Sequence, residues 1–180
     1  MKKYPVCALA VIISLILISC EPESEDPPVF DNGLMVTLGQ NPINSGGIAS
    51  QKDFTARSYV NCKYEFGNLY TFSAKTSGDE EWIVKFRYDQ DTDDSLVYLD
   101  ENSSNMIQLN SPEDSDIGDY YIDASSDNAD QTVIRLIRLV PNEIIEAEFE
   151  GFIFKSGSPA VPDTLKEGYL ITKTFTTPVK

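Results

Sequence analysis

The stretch TVIRLIRLV (132–140), PNE (141–143) and IIEAEFEGFIF (144–154) decides the fold of this 180-residue chain. Two apolar-rich segments flank Pro141-Asn142-Glu143, residue types that set up a compact reversal, so the spacing predicts an antiparallel hairpin. Across its second strand Ile145, Ala147 and Phe149 alternate with Glu146, Glu148 and Glu150, which places three carboxylates on a wet face. Phe152 and Phe154 continue the parity of the glutamates. A bulge at Gly151 is expected to bring the two sets onto one face.

Working outward, the period stays at two. Phe54, Ala56, Ser58 and Val60 alternate, and Tyr64 and Phe66 continue the run to Gly67-Asn68, a turn pair followed by Tyr70, Phe72 and Ala74. Trp82, Val84, Phe86 and Tyr88 share one face, while Lys85 and Arg87 point to water. Shorter strands are expected at Leu34 to Leu38, Leu96 to Leu99, Met106 to Leu109 and Tyr120 to Ile122. A final one runs from Tyr169 to Thr176 after a Gly/Pro/Ser loop from Ser156 to Pro162. Eight to ten strands without an amphipathic helix predict an all-β fold, an antiparallel sandwich or an open barrel.

The amino terminus predicts export. Lys2 and Lys3 precede an apolar run from Val6 to Ile18, too short to span a bilayer, and four acids between Glu21 and Asp26 follow with no stop-transfer pattern. Leu17-Ile18-Ser19-Cys20 resembles the bacterial lipobox. That likeness implies removal of residues 1–19 and a Cys20 carrying acyl chains, which hold a protein on a membrane at about 0.8 kcal/mol per buried methylene. Residues 20–30 then form the lipidated start and an acidic, proline-bearing tether, and residues 31–180 a single β-domain, expected to be monomeric. The stretch 21–28 reaches at most about 26 Å. Acids directly after such a cysteine resemble the export signal of Bacteroidota surface lipoproteins. An outer-membrane lipoprotein displayed at the cell surface is therefore preferred over one on the periplasmic face.

Without the leader the chain carries 12 basic and 29 acidic residues, a formal charge of −17. Nucleic acid is an unsuitable partner, because a phosphate backbone requires a basic face. Cys7 leaves with the leader and Cys20 is committed to lipid, which leaves Cys62 with no intrachain disulfide partner. It shares strand parity with Val60 and Tyr64, which predicts a buried, inert thiol. The chain has no histidine, and that removes Ser-His-Asp hydrolysis, Cys-His chemistry and histidine-based metal sites.

Four segments resemble the small Bacteroidota lipoproteins classed as domains of unknown function: Asp53 to Ala56, Gly118 to Tyr121, Glu146 to Phe154 and Gly168 to Phe175. The likeness covers about residues 53–176. It implies a β-rich exported domain and supplies no catalytic residues.

One run carries metal-ligand spacing. Asp89, Asp91, Asp93 and Ser95, with Asp100 at the twelfth place, overlay the oxygen positions of a calcium loop. Asp94 stands where the sharp turn needs glycine and Asp100 where a bidentate Glu is usual, so a solvated polar loop is the competing reading. Glu80-Glu81 beside Trp82 has the residue types of a carboxylate glycosidase, but adjacent strand residues face opposite ways and Trp82 suits a core position. The acids Asp114, Asp116 and Asp119, then Asp123, Asp127 and Asp130, read as turn formers. Three function classes follow. The preferred one is a non-enzymatic surface lipoprotein whose β-domain presents loops to a partner, another envelope protein or a host molecule. The others are a carbohydrate-binding accessory of a glycan-uptake system, drawing on Trp82 and nine tyrosines, and a hydrolase working with carboxylates alone.

Overall fold

In the computed structural model, residues 31–43, 46–47, 49–66, 68–89, 95–158 and 161–176 are described. The predicted hairpin is present as β8 (Val133–Val140) and β9 (Ile144–Lys155), paired antiparallel from Val140 against Ile144 to Val133 against Glu150. Asn142 turns the chain with φ of +62°, a conformation its short amide tolerates.

Nine further strands precede or follow it: β1 (Gly33–Gln40), β2 (Ser50–Glu65), β3 (Leu69–Thr76), β4 (Glu81–Arg87), β5 (Leu96–Tyr98), β6 (Met106–Asn110), β7 (Tyr120–Asp123), β10 (Asp163–Thr172) and β11 (Phe175–Thr176). The protein is all-β, and its barrel is closed. β1, β2, β3, β4, β6, β7, β9 and β10 follow one another up and down around the wall, and pairing of β10 with both β1 and β9 completes the circuit. Closure leaves few exposed strand edges. Every ladder is antiparallel except that of β11, which lies parallel to β2 with Phe175 opposite Cys62.

β9 is long enough to serve two neighbours along one edge. Its residues 144–150 pair with β8 and its last two, Phe154 and Lys155, pair with β7. β5 extends the wall beyond β8. The Asn105 side chain then bridges from β5 to β4, donating from Nδ2 to the Tyr98 carbonyl (3.1 Å) and accepting the Arg87 amide on Oδ1 (2.8 Å). A buried amide thus replaces ladder bonds where no strand lies between β4 and β5.

The interior is packed with side chains, as the bore of an eight-stranded barrel allows. Trp82, Tyr70, Tyr120, Phe72, Phe86 and Phe149 are all fully buried. Phe54 meets Trp82 edge to face at 5.3 Å and 73°, and Tyr70 stacks on Phe86 at 5.6 Å. Lys63, Lys75, Lys85, Arg87, Glu146 and Glu148 occupy outward positions, so polar residues face out and apolar ones in, the reverse of a barrel that spans lipid.

Three local expectations are corrected. Gly151 does not reset the parity of β9: Ile153 is buried in step with Phe149, while Phe152 and Phe154 stay on the glutamate side. The reset lies in β10, where Leu165 opposes Gly151 and Gly168 opposes Phe149, so Lys166 and Glu167 share one place and Glu167 takes φ of +52°. A Cβ on Gly168 would lie 2.4 Å from the Phe149 carbonyl oxygen, which is why the chain has glycine there. Phe66 does not extend β2, which ends at Glu65, and its ring is fully exposed. The predicted last strand is two, β10 and β11, because Lys173-Thr174 breaks the ladder and the chain crosses to β2.

Cys62 is buried as expected, and burial pushes its thiol up to about 12. Burial likewise holds the phenols of Tyr70, Tyr120 and Tyr169 up to about 12, reinforced at Tyr169 by the hydrogen bond it donates to Glu146 (2.8 Å). Tyrosines in an unfolded chain ionise near 10. The folded chain therefore holds more protons between about pH 10 and 12, so stability present below pH 10 is lost as pH climbs through that window. Alkaline titration is expected to show tyrosinate absorbance from these three rings rising together with loss of circular dichroism. Smooth ionisation of all the tyrosines near pH 10 with the fold intact would contradict it.

Candidate functional site

The eight barrel strands define two rims. Chain entry at Asp31, the turn after β2, the β8–β9 turn and the β10–β11 link lie at the lower rim; the connections β1–β2, β3–β4, β6–β7 and β9–β10 lie at the upper rim.

The upper mouth holds a polar cluster drawn from four strand ends, those of β1, β2, β7 and β10. Gln40, at the end of β1, donates from Nε2 to the Tyr120 hydroxyl (2.9 Å) and accepts Ser50 Oγ on Oε1 (2.6 Å). Asp163, fully buried at the start of β10, accepts the Asn41 amide on Oδ1 (2.5 Å) and also interacts with the Tyr120 phenol. A carboxylate so enclosed is held by hydrogen bonds, as buried polar groups are.

Above this cluster the β3–β4 and β6–β7 loops are held by their own side chains. The Thr76 amide bonds the Glu80 carbonyl (2.9 Å), the Gly78 amide bonds Thr76 Oγ1 (3.2 Å), and Asp79 turns the chain at φ of +64°. Burial works against ionisation of Glu80, but the Thr76 hydroxyl bond and Lys52 at 3.5 Å outweigh it and hold the carboxyl below its ordinary range. In the β6–β7 loop the Ser111 amide bonds Asp119 Oδ1 (2.7 Å) and Ser111 Oγ bonds the Gly118 carbonyl (2.8 Å). The exposed acids here are Asp79, Glu113, Asp114, Asp116 and Asp119, and Ile43 is an exposed apolar side chain. The β3–β4 and β6–β7 loops thus give the upper rim an acidic face.

Several residues singled out by sequence are placed as follows. Cys20, Asp91 and Asp93 lie outside the described residues. Asp89 follows β4, the Ser95 carbonyl accepts the Leu136 amide of β8 (2.7 Å), and Asp100 sits in a 3-10 turn beyond β5. A ligand set from Asp89 to Asp100 would thus span a strand paired to β8, and among the described residues no cluster of three metal-ligating side chains occurs. Glu80 and Glu81 diverge, the first toward Thr76 and Lys52, the second toward Asn110 Nδ2 (3.4 Å). Trp82 lies in the core. Asp123 acts as a turn former, its Oδ1 accepting Ser125 N (2.9 Å), Ser125 Oγ (2.7 Å) and Ser126 Oγ (3.1 Å), with the Ser125 bond first among the causes that hold its carboxyl low.

The Gln40–Tyr120–Asp163 cluster escaped the sequence reading. Its members sit 80 and 43 positions apart, and nothing local to any of them marks the contact. The chain matches no protein-family model, no curated protein and no solved structure.

Proposed function

We propose that this chain is an exported lipoprotein, held in the outer membrane through acyl chains on Cys20, whose barrel offers its upper rim to a protein partner without catalysing a reaction. The observation that carries this reading is the opposition of the two rims. The chain enters β1 at the lower rim, where Asp31 lies 3.5 Å from Lys173, and the acidic loops stand at the other end. A tether of a few tens of ångströms leaves those loops pointing away from lipid. Loops carried on a rigid scaffold are where binding residues concentrate.

The outward charge of the strands supports an anchor as the means of membrane attachment, since the barrel wall is unsuited to lipid contact. A glycan partner receives less support. Trp82 is buried, and the exposed rings of Tyr59, Tyr98 and Tyr121 lie on β2, β5 and β7, strands that are not neighbours. A carboxylate hydrolase would need two acids converging on one cleft. The diverging Glu80 and Glu81 do not supply them.

The test is fractionation with mass spectrometry. Wild-type chain is expected in the outer-membrane fraction, starting at a Cys20 that carries lipid, and Cys20→Ala is expected free of the membrane. Wild-type chain recovered unprocessed in the cytosol, with Cys20 unmodified, would overturn the proposal. Protease treatment of intact cells then reports the face: loss of the domain marks surface display, and full protection marks the periplasmic side.

A further inference from the structure

A second apolar cluster lies on the outside of the barrel, apart from the core. Met35 of β1, Tyr169 and Ile171 of β10 and Ile144 of β9 share a face with Glu146 and Glu148, whereas Leu34, Ala147 and Leu170 turn to the bore. Outward residues of such a wall ordinarily meet water. Yet Tyr169, Ile171 and Ile144 are only 9, 6 and 8% exposed, while Ile137 and Val140, outward on neighbouring β8, are 48 and 39% exposed. The cover is therefore local to β9, β10 and β1.

Among the described elements β10 packs chiefly on β9 and β1, which lie edge to edge with it in the wall and leave its outer face open. The nearest cations are turned aside. Arg138 is bound to Glu146 at 3.0 Å and Lys173 to Asp31 at 3.5 Å, and both stay more than half exposed. Tyr169 has a further interaction besides its bond to Glu146.

The position of the cluster says what covers it. It sits where the chain enters: Gly33 opposes Ile171, Asp31 lies beside Lys173, and the chain bends at Asp31-Asn32 before β1 begins. Gly33, the outward residue next to Met35, is buried although it has no side chain. It leaves a hollow flanked by Met35 and Ile171, the kind of place an aromatic ring fills over a strand glycine. From Glu21 to Phe30 every side chain is acidic, serine or proline except Val29 and Phe30. Phe30 is three residues from Gly33, at most about 11 Å along the chain.

We propose that Val29 and Phe30 dock on the outer face of β1 and β10, over Gly33, Met35, Tyr169 and Ile171, and strap the start of the mature chain to the barrel wall. The strap shortens the free tether to residues 20–28, at most about 30 Å, and fixes the side of the barrel from which it leaves. That consequence for the distance from lipid rests on the anchor proposed above; the docking does not, and its test leaves the anchor out.

The chain from residue 20 to 180 is purified with Cys20→Ser, so that neither acylation nor a membrane enters the result. In one variant Phe30→p-benzoylphenylalanine supplies a photoreactive ring. Irradiation is expected to join position 30 to β1 or β10 of the same chain, located by mass spectrometry after digestion. A link between two chains would overturn the strap in favour of a second copy, and links elsewhere on the surface, or none, would overturn the docking outright. A double-mutant cycle in urea gives a second measure. Phe30→Ala is expected to lower the unfolding midpoint, and Ile171→Ala to lower it by less once Phe30 is alanine, whereas Ile137→Ala on β8 adds independently. Strict additivity of Phe30→Ala with Ile171→Ala, or a midpoint unmoved by Phe30→Ala, would contradict the proposal.

Discussion

Gly151→Val is expected to cost more than about 3 kcal/mol, a large share of the 5 to 15 kcal/mol that holds a domain of this size. Two terms act together. Gly151 takes φ of +139°, a conformation that side-chain-bearing residues rarely adopt. A Cβ there would also sit 2.5 Å from Thr132 Cα, 2.6 Å from its Oγ1 and 2.7 Å from the Gln131 carbonyl oxygen. Thr132 cannot move aside cheaply, because its hydroxyl accepts the Phe152 amide (3.0 Å) and its carbonyl accepts the Leu99 amide (3.1 Å). The clash therefore spreads into β9 and the turn after β5 at once. Urea unfolding is the measurement: the midpoint is expected to fall with little change in slope. Gly157→Ala separates the two terms, since Gly157 also has positive φ, +81°, but nothing within 4 Å of its Cβ position. It is expected to cost only about 1 kcal/mol. Equal losses at both positions would show that backbone conformation, not the Thr132 contact, dominates.

Trp82→Ala is the second large effect, with an expected loss of about 3–5 kcal/mol. Trp82 is fully buried, paired with Ala74 on one side and Leu109 on the other, and its ring meets Phe54 edge to face. The small Ala74 leaves room for the indole. Neither strand can close the void, because both are held in the continuous barrel ladder, so cavity cost adds to lost transfer energy. Trp82→Phe tests what the loss consists of. The indole Nε1 is buried and has no hydrogen-bond acceptor among the described residues, so phenylalanine forfeits volume and no hydrogen bond. About 1–2 kcal/mol is expected for that variant. A loss as large as that of alanine would mean that Nε1 makes a contact worth more than the packing.

The strands were legible because alternation is written into neighbouring residues. Ile145, Ala147 and Phe149 face inward for a reason visible in five letters, as do Val84 and Phe86. The misplaced bulge shows where that logic stops. Gly151 invited a parity reset in its own strand, but the packing solution places the extra residue in β10, at Lys166-Glu167, opposite it. Either strand can absorb a bulge, and only the fit of both to their other neighbours selects one. Phe66 misled for a similar reason: an aromatic in step with Tyr64 reads as buried until the strand is seen to end one residue earlier. The upper-rim cluster was invisible, since Gln40, Tyr120 and Asp163 come from three distant strand ends.

Sequence alone determined that this protein is built of strands, which side of most of them is dry, and that Cys62 and Trp82 belong inside. Tertiary structure decided that the sheet closes into a barrel with a filled bore, that Gln40, Tyr120 and Asp163 meet at one mouth, and that the chain enters at the end opposite the acidic loops. The division follows from range. Side-chain direction along a strand is fixed by the pleat within two residues, whereas closure and rim depend on which edges meet across a hundred residues or more, through backbone hydrogen bonds that every residue but proline can donate and no local pattern addresses.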